Sequence, residues 1–438
     1  MFGDLHALPS LICVKDGTYR MPYYRCMENP PVTAIARAGT WRTLTAAPHR
    51  PMFLAGALQG VLVMAWWLAD LVGRYGAGPY LPWTVAAPAA HAYLMLYGFF
   101  PLFIFGFLFT TYPAWLDAQK LSRQRYTAVF LLMAIGHLMF YMGLATSSAL
   151  AISGVMLVLV GWGAALTALG KILLQAPHPD KRHAYVTTVA LTLGWFGVAA
   201  FAGWLLTGEP LLLAFSVTGG LWLFLLPVVF TVSHRMIPFF SDCVLDDYTV
   251  VRPFGWLWLA LAAMAMHAVL ALLDSRWLWI PDLLLTLAAF YLAVVWQFWR
   301  SLKIRLLAVL HLSFLWLGIG AALYTTQSLA VFLSAVPVLG LAPLHAVAIG
   351  YCASMILAMA SRVTLGHSGR TLLADRATWL VFLGFQGAAI ARIAFEILPG
   401  RPVHALFVAA GIWLASYGAW AFKYAPYYWR PRIDGRDG

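Results

Sequence analysis

The sequence predicts an all-α polytopic membrane protein of about twelve transmembrane helices, with both termini in the cytoplasm. Three observations carry that expectation. The 438-residue chain is 62% hydrophobic and only 10% charged, with a mean hydropathy of +0.80. An ordinary soluble domain carries roughly 25% charge. The chain also holds a series of apolar runs, each near the ~20 residues that cross a hydrocarbon core. Finally, its basic residues mark every second connection between those runs, which is how cytoplasmic loops are distinguished. This composition excludes, as first readings, a soluble enzyme, a disordered chain and a nucleic-acid binder. The partner it implies is the lipid bilayer. The net charge of +12 then reads as a topology signal.

Taken in order, the runs lie near 51–72, 88–113, 126–146, 149–172, 184–206, 211–232, 254–273, 277–299, 306–325, 336–360, 376–398 and 403–423. Pro51, Pro88, Pro210 and Pro253 stand at or just before the start of runs; the first helical turn tolerates proline because its N–H has no partner there anyway. Residues 1–50 form a cytoplasmic extension with a short interfacial helix near 33–45, 51–424 the membrane domain, and 425–438 a cytoplasmic tail. The first residues have neither a basic start nor a long apolar core, so a cleavable signal peptide is not expected. Lysine and arginine crowd the extension (Lys15, Arg20, Arg25, Arg37, Arg42, Arg50) and the tail (Lys423, Arg430, Arg432, Arg436). They recur at Lys120, Arg123 and Arg125, at Lys171, Lys181 and Arg182, at Arg235 and Arg252, at Arg300, Lys303 and Arg305, and at Arg362, Arg370 and Arg376. The intervening loops hold only Arg74, Arg276 and Arg401.

Cys13, Cys26, Cys243 and Cys352 show no CxxC or CxxCH spacing, which argues against a disulfide framework, a zinc ribbon and covalently attached haem. The histidines are more informative, because an ionisable side chain at membrane depth faces a cavity, a partner or a cofactor. His91, His267, His345 and His404 fall toward the outer face, and His49, His234, His311 and His367 toward the inner face. His137 is mid-membrane; His178 and His183 belong to a basic inner loop. His91 and His345 stand at similar depth on helices 2 and 10, the arrangement that two axial ligands of a b-type haem require. The alternative is that each imidazole is bonded to a backbone carbonyl. His311, just inside helix 9, and His367, just past helix 10, could meet at the inner surface with His49, and imidazoles gathered from separate elements suit copper. Arg392, four residues from Glu396, is at the depth to meet a haem propionate beside His91 and His345, or simply pairs with Glu396. His345, Cys352, Met355, Met359 and Arg362 share one helix face, read either as soft copper ligands or as adaptable packing. There is no clean internal duplication, only an echo between helices 2 and 10: His-Ala at the outer end and a tyrosine six residues on (Tyr97, Tyr351).

At these residues the chain resembles the NnrS family of bacterial inner-membrane proteins. The matching pieces are His49-Arg50-Pro51-Met52-Phe53, the stretch from His91 to Phe99, Thr111-Tyr112-Pro113-Ala114-Trp115, and Arg235-Met236-Ile237-Pro238-Phe239-Phe240 following helix 6. His311, His345 to Gly350, Arg362 to Arg370 and Pro431-Arg432-Ile433-Asp434-Gly435 complete them. The resemblance implies a twelve-helix protein containing haem b and copper, linked to nitric oxide, denitrification and nitrosative stress, and acting on nitric oxide or on iron–nitrosyl damage with an unidentified electron donor. Many members carry a second His and a Glu in helix 2 where this chain has Tyr93 and Leu94, which removes a metal ligand and a proton-carrying carboxylate there. Twelve helices with opposed histidines on helices 2 and 10 are also similar to the catalytic subunit of haem–copper oxidases. The helix 6 copper motif and the paired histidines of helix 7 of those enzymes are absent, so oxygen reduction of that type is not expected. The competing functions are a transporter for copper, haem or a small metabolite, and a sensor or assembly factor without turnover. Few charges lie at mid-span, which counts against ion-coupled transport.

Overall fold

The computed structural model describes residues 39–76, 78–400 and 402–435. The signal-peptide reading, the arm residues Lys15, Arg20, Arg25 and Arg37, Cys13 and Cys26, and also Arg401 and Arg436, lie outside the described residues. Twelve helices are long and apolar enough to cross a membrane: α1 His49–Tyr75, α2 Ala87–Trp115, α3 Arg123–Thr146, α4 Ser148–Gln175, α5 Arg182–Thr207 and α6 Pro210–Asp242, then α7 Phe254–Leu272, α8 Arg276–Val295, α9 Arg305–Ser334, α10 Ala342–His367, α11 Arg376–Ile397 and α12 His404–Trp429. The chain is an all-α, multi-pass membrane protein. Of the predicted interfacial helix, one turn is present at Thr40–Leu44.

Several boundaries move; α9 runs nine residues past its predicted end, to Ser334. The apolar stretch 336–341 is not helical: Pro337 cannot propagate the preceding turn, and Gly340 takes φ +51°. α10 therefore starts at Ala342, with Pro343 in its first turn, and runs on to His367, so His367 closes the helix instead of following it. α6 extends ten residues past its predicted end, through Pro238. Arg235 to Phe240 thus lie within the helix.

α2, α10, α9 and α6 are the most buried spans. Around them the packing repeats every four helices. α1, α5 and α9 lie against α2, α6 and α10, the hairpins α3–α4, α7–α8 and α11–α12 pack beside them, and α12 returns to α1. The hairpin α3–α4 closes on small residues: a Cβ on Gly136 would come within 2.7 Å of the Gly154 carbonyl, so bare backbones touch.

The inner helices share an irregularity. α2, α6 and α10 each contain a π-helical segment, at Leu94–Phe99, Gly220–Leu225 and Ala346–Ala353, evenly spaced along the chain. α6 thus shares the π segment of helices 2 and 10, although it carries neither the His-Ala nor the tyrosine of their sequence echo. Each π turn leaves backbone groups to satisfy. In α2, Pro101 lacks the N–H that would reach the Tyr97 carbonyl, and His137 of α3 donates its Nε2–H there instead, at 3.2 Å. Mid-membrane His137 thereby acquires a structural explanation. In α10 the Ser354 hydroxyl donates to the Ile349 carbonyl at 3.1 Å, and Gln386 of α11 donates to Ser354. Tyr97 donates to the Ser216 carbonyl at 2.6 Å and Tyr351 hydrogen-bonds Ser233 Oγ at 3.2 Å, so both tyrosines brace their helices on α6.

Candidate functional site

Histidines gather at both ends of the bundle. At one end His91 occupies the helical turn before the π segment of α2, and His345 immediately precedes that of α10. Trp67 of α1 stacks on His91 with ring centroids 4.1 Å apart and planes 18° apart. Arg74 lies over the same Trp67 and is paired with Asp70, which also accepts the Trp83 indole N–H at 3.0 Å. His91 Nδ1 is buried with no hydrogen-bond partner. His345 Nδ1–H donates to the Leu341 carbonyl at 2.9 Å, which places the lone pair on Nε2 and fixes the ring as a ligand would need. Arg392 is within electrostatic reach of both imidazoles, and the two imidazoles of each other. Its Nη1 donates to Glu396 at 2.8 Å; a guanidinium has five N–H donors, so this pairing leaves capacity for a second carboxylate.

At the opposite, basic end His49 opens α1 and His367 closes α10. Their ring centroids are 4.5 Å apart. His49 Nδ1 and His367 Nε2 are both buried and unpartnered. Segments at the two limits of the described chain converge on them. Arg50 donates to the carbonyls of Thr43, Tyr428 and Arg430 at 3.3, 3.3 and 3.0 Å. After His367 the chain turns through Gly369, at φ +74°, where a Cβ would press on Asp434. Ile433 N–H bonds the Ser368 carbonyl, Arg432 forks onto Asp434, and Arg370 lies 3.8 Å from the Tyr427 ring centroid. The Pro431–Gly435 segment is therefore a clamp on the His367 turn.

His311 does not join this pair. It is buried on α9, where Nε2 hydrogen-bonds Ser241 Oγ of α6 at 3.0 Å. Among the described residues no three His, Cys, Asp or Glu side chains converge as a metal site, so His49 and His367 stand as a two-imidazole set. Two further arrangements were not anticipated. His183 lies in the first turn of α5, not in a loop, and its Nε2 is 3.0 Å from Nδ1 of His234 on α6. Beside it, Arg182 bonds to Asp180 and holds that carboxyl below the usual carboxylate range. On α7, His267 Nδ1 meets Asp282 Oδ1 at 2.5 Å, and Asp282 in turn accepts from Ser328 at 2.7 Å. Trp222, from the π segment of α6, stacks on His267 with centroids 3.5 Å apart. The signal available for the first pair was Arg-His at a span's start in both α5 and, reversed, α1; for the second, Asp282 as the sole acid inside α8.

A family model described as NnrS protein matches residues 43–432. No curated protein matches the chain.

Proposed function

The chain belongs to the NnrS family, membrane proteins of the nitric oxide response, and from that premise we propose that it binds haem b and copper in the bacterial inner membrane. In this reading it acts on nitric oxide or on the iron–nitrosyl damage that nitric oxide causes. The carrying observation is the His91–His345 arrangement: two imidazoles beside the π turns of α2 and α10, one with an orphaned nitrogen and one with its tautomer set by Leu341, both within electrostatic reach of Arg392. Those residues suit a haem. His91 and His345 would hold it through imidazole nitrogens and Arg392 would pair with one of its carboxylates. Haem iron held by two imidazoles supplies electron transfer, whereas an open coordination position supplies ligand chemistry. The protein's own contribution is orientation: Trp67 keeps the His91 ring in plane, and the Leu341 carbonyl raises the basicity of His345 Nε2. At the basic end His49 and His367 would hold copper, for which imidazole is an apt ligand; His311 belongs to a separate hydrogen bond. The loop charges support placing the basic end, and both termini, in the cytoplasm. An electron donor completes any turnover.

The test is purification in detergent from haem-replete cells, with metal analysis and visible spectra of oxidised, reduced and nitric-oxide-treated protein. A haem spectrum that responds to nitric oxide, with copper present, is expected. A colourless, copper-free preparation would overturn the reading.

A further inference from the structure

In the half of the bundle nearer the basic end, α2, α6 and α10 do not close completely on one another. They leave a cavity of about 40 Å³. It is lined by Phe53 of α1, Phe103 of α2, Val229 of α6, and Met355, Met359 and Ala360 of α10, with further aliphatic and aromatic neighbours from the same helices. No lining side chain bears a nitrogen or an oxygen. The hollow is about half open rather than sealed; a buried water needs two to four polar partners, and this lining offers none. The volume is small beside the ~150 Å³ of an apolar cavity that takes up benzene, yet it exceeds the ~10–15 Å³ that a single water needs.

The aromatic walls are fixed. Gly106 of α2 leaves the space that the Phe53 ring occupies, since a Cβ there would come within 2.9 Å of the ring. Gly56 of α1 does the same for Phe103, at 2.5 Å. The two rings lean on each other with centroids 5.3 Å apart, so neither can swing inward to fill the space. Phe53 also meets His49 edge-on at 5.8 Å. The methionines that the sequence offered as soft metal ligands are wall residues of this cavity.

We propose that the cavity is a binding site for one small, neutral, apolar molecule of diatomic size, held one aromatic ring away from the His49–His367 pair. Dispersion contacts with a preformed apolar wall supply the attraction, and no polar group has to be desolvated. Such molecules dissolve in the hydrocarbon that surrounds the helices. The inference does not depend on a metal being bound at either end.

Xenon is the probe. Crystals of the full-length protein pressurised with xenon should show one anomalous peak between Phe53, Val229 and Met359. Ala360→Leu fills the cavity and should abolish that peak. Val229→Ile adds a single methylene and should weaken binding roughly tenfold by overpacking, which keeps the test open if the larger variant misfolds. Elution as a monodisperse species, with visible spectrum and metal content equal to wild type, reports intact folding in each variant. No xenon in the wild-type cavity, or equal occupancy in wild type and a folded variant, would overturn the proposal. Xenon bound to a protein that proves metal-free would retain this site and sink only the haem–copper reading.

Discussion

At the end of the bundle that carries His91 and His345, each imidazole is set by its own helix and a near neighbour. Leu341 is four residues from His345, and Trp67 stacks on His91 from the adjacent helix. At the basic end, His49 and His367 are held by segments from opposite limits of the chain, tied through Arg50 to the carbonyls of Tyr428 and Arg430. The difference teaches which damage each pair should feel. The first should respond to changes of the ring itself and little else. The second should respond to remote changes in the tail.

The largest expected effect lies at the first pair. His91→Ala and His345→Ala should each abolish a six-coordinate haem spectrum, read in oxidised and reduced protein, whereas His49→Ala should leave it intact. Equal spectra in all three would erase the distinction between the ends. Next, the His49→Ala/His367→Ala double variant should lose its copper, measured by metal analysis, while His311→Ala retains it because His311 answers to Ser241. Copper lost only with His311 would reverse the assignment. Third, Arg50→Gln strips charged hydrogen bonds to three carbonyls, so about 2–3 kcal/mol of stability should go. Copper affinity should fall about 10–100-fold, as for other supporting-residue losses. Thermal unfolding and copper titration would show both, with the haem spectrum unchanged.

Smaller effects lie away from either pair. Gly154→Val forces apart the α3–α4 backbones, since a Cβ there approaches the Gly136 carbonyl and the Phe140 amide; a cost of about 1–3 kcal/mol is expected, with both metal readouts preserved. The smallest concerns Asp180→Asn. This carboxylate is depressed by Arg182, so its contribution is full above the unfolded carboxyl range near pH 4 and is lost progressively as pH falls through the lowered folded value. The pair is largely solvated, so less than about 1 kcal/mol is expected. A stability difference from wild type that is full at pH 7 and shrinks steadily as pH falls below about 4 would bear this out; one that grows on acidification would refute it.

The twelve spans were legible because length and apolarity are local properties; the errors lay at their ends, where 336–341 imitated a helix around Pro337 and Gly340 and where α6, α9 and α10 run on past their apolar runs. The depth of His91 and His345 was legible for the same reason. Their side-chain settings were not, since a π turn leaves no mark in hydropathy and Trp67 is remote in sequence from both. His183 was assigned to a loop because Lys181 and Arg182 look like loop residues, yet the helix opens at Arg182. The joining of His311 to His49 and His367 failed because depth alone says nothing about azimuth. His311 points to α6 and His367 to α1. Pro431–Gly435 could be matched as a motif, but its role as a clamp needs Ser368 and Arg50 in space.

The clamp also orders events during synthesis. His49 belongs to the first span and reaches its carbonyl partners at Tyr428 and Arg430 only through Arg50. The basic end therefore lacks its Arg50 anchor until residues 428–430 have been made and packed. His345 acquires its Leu341 bond as soon as α10 forms. An inserting chain thus matures its two ends at different times, the Arg50 anchor beside His49 forming only after translation has passed residue 430.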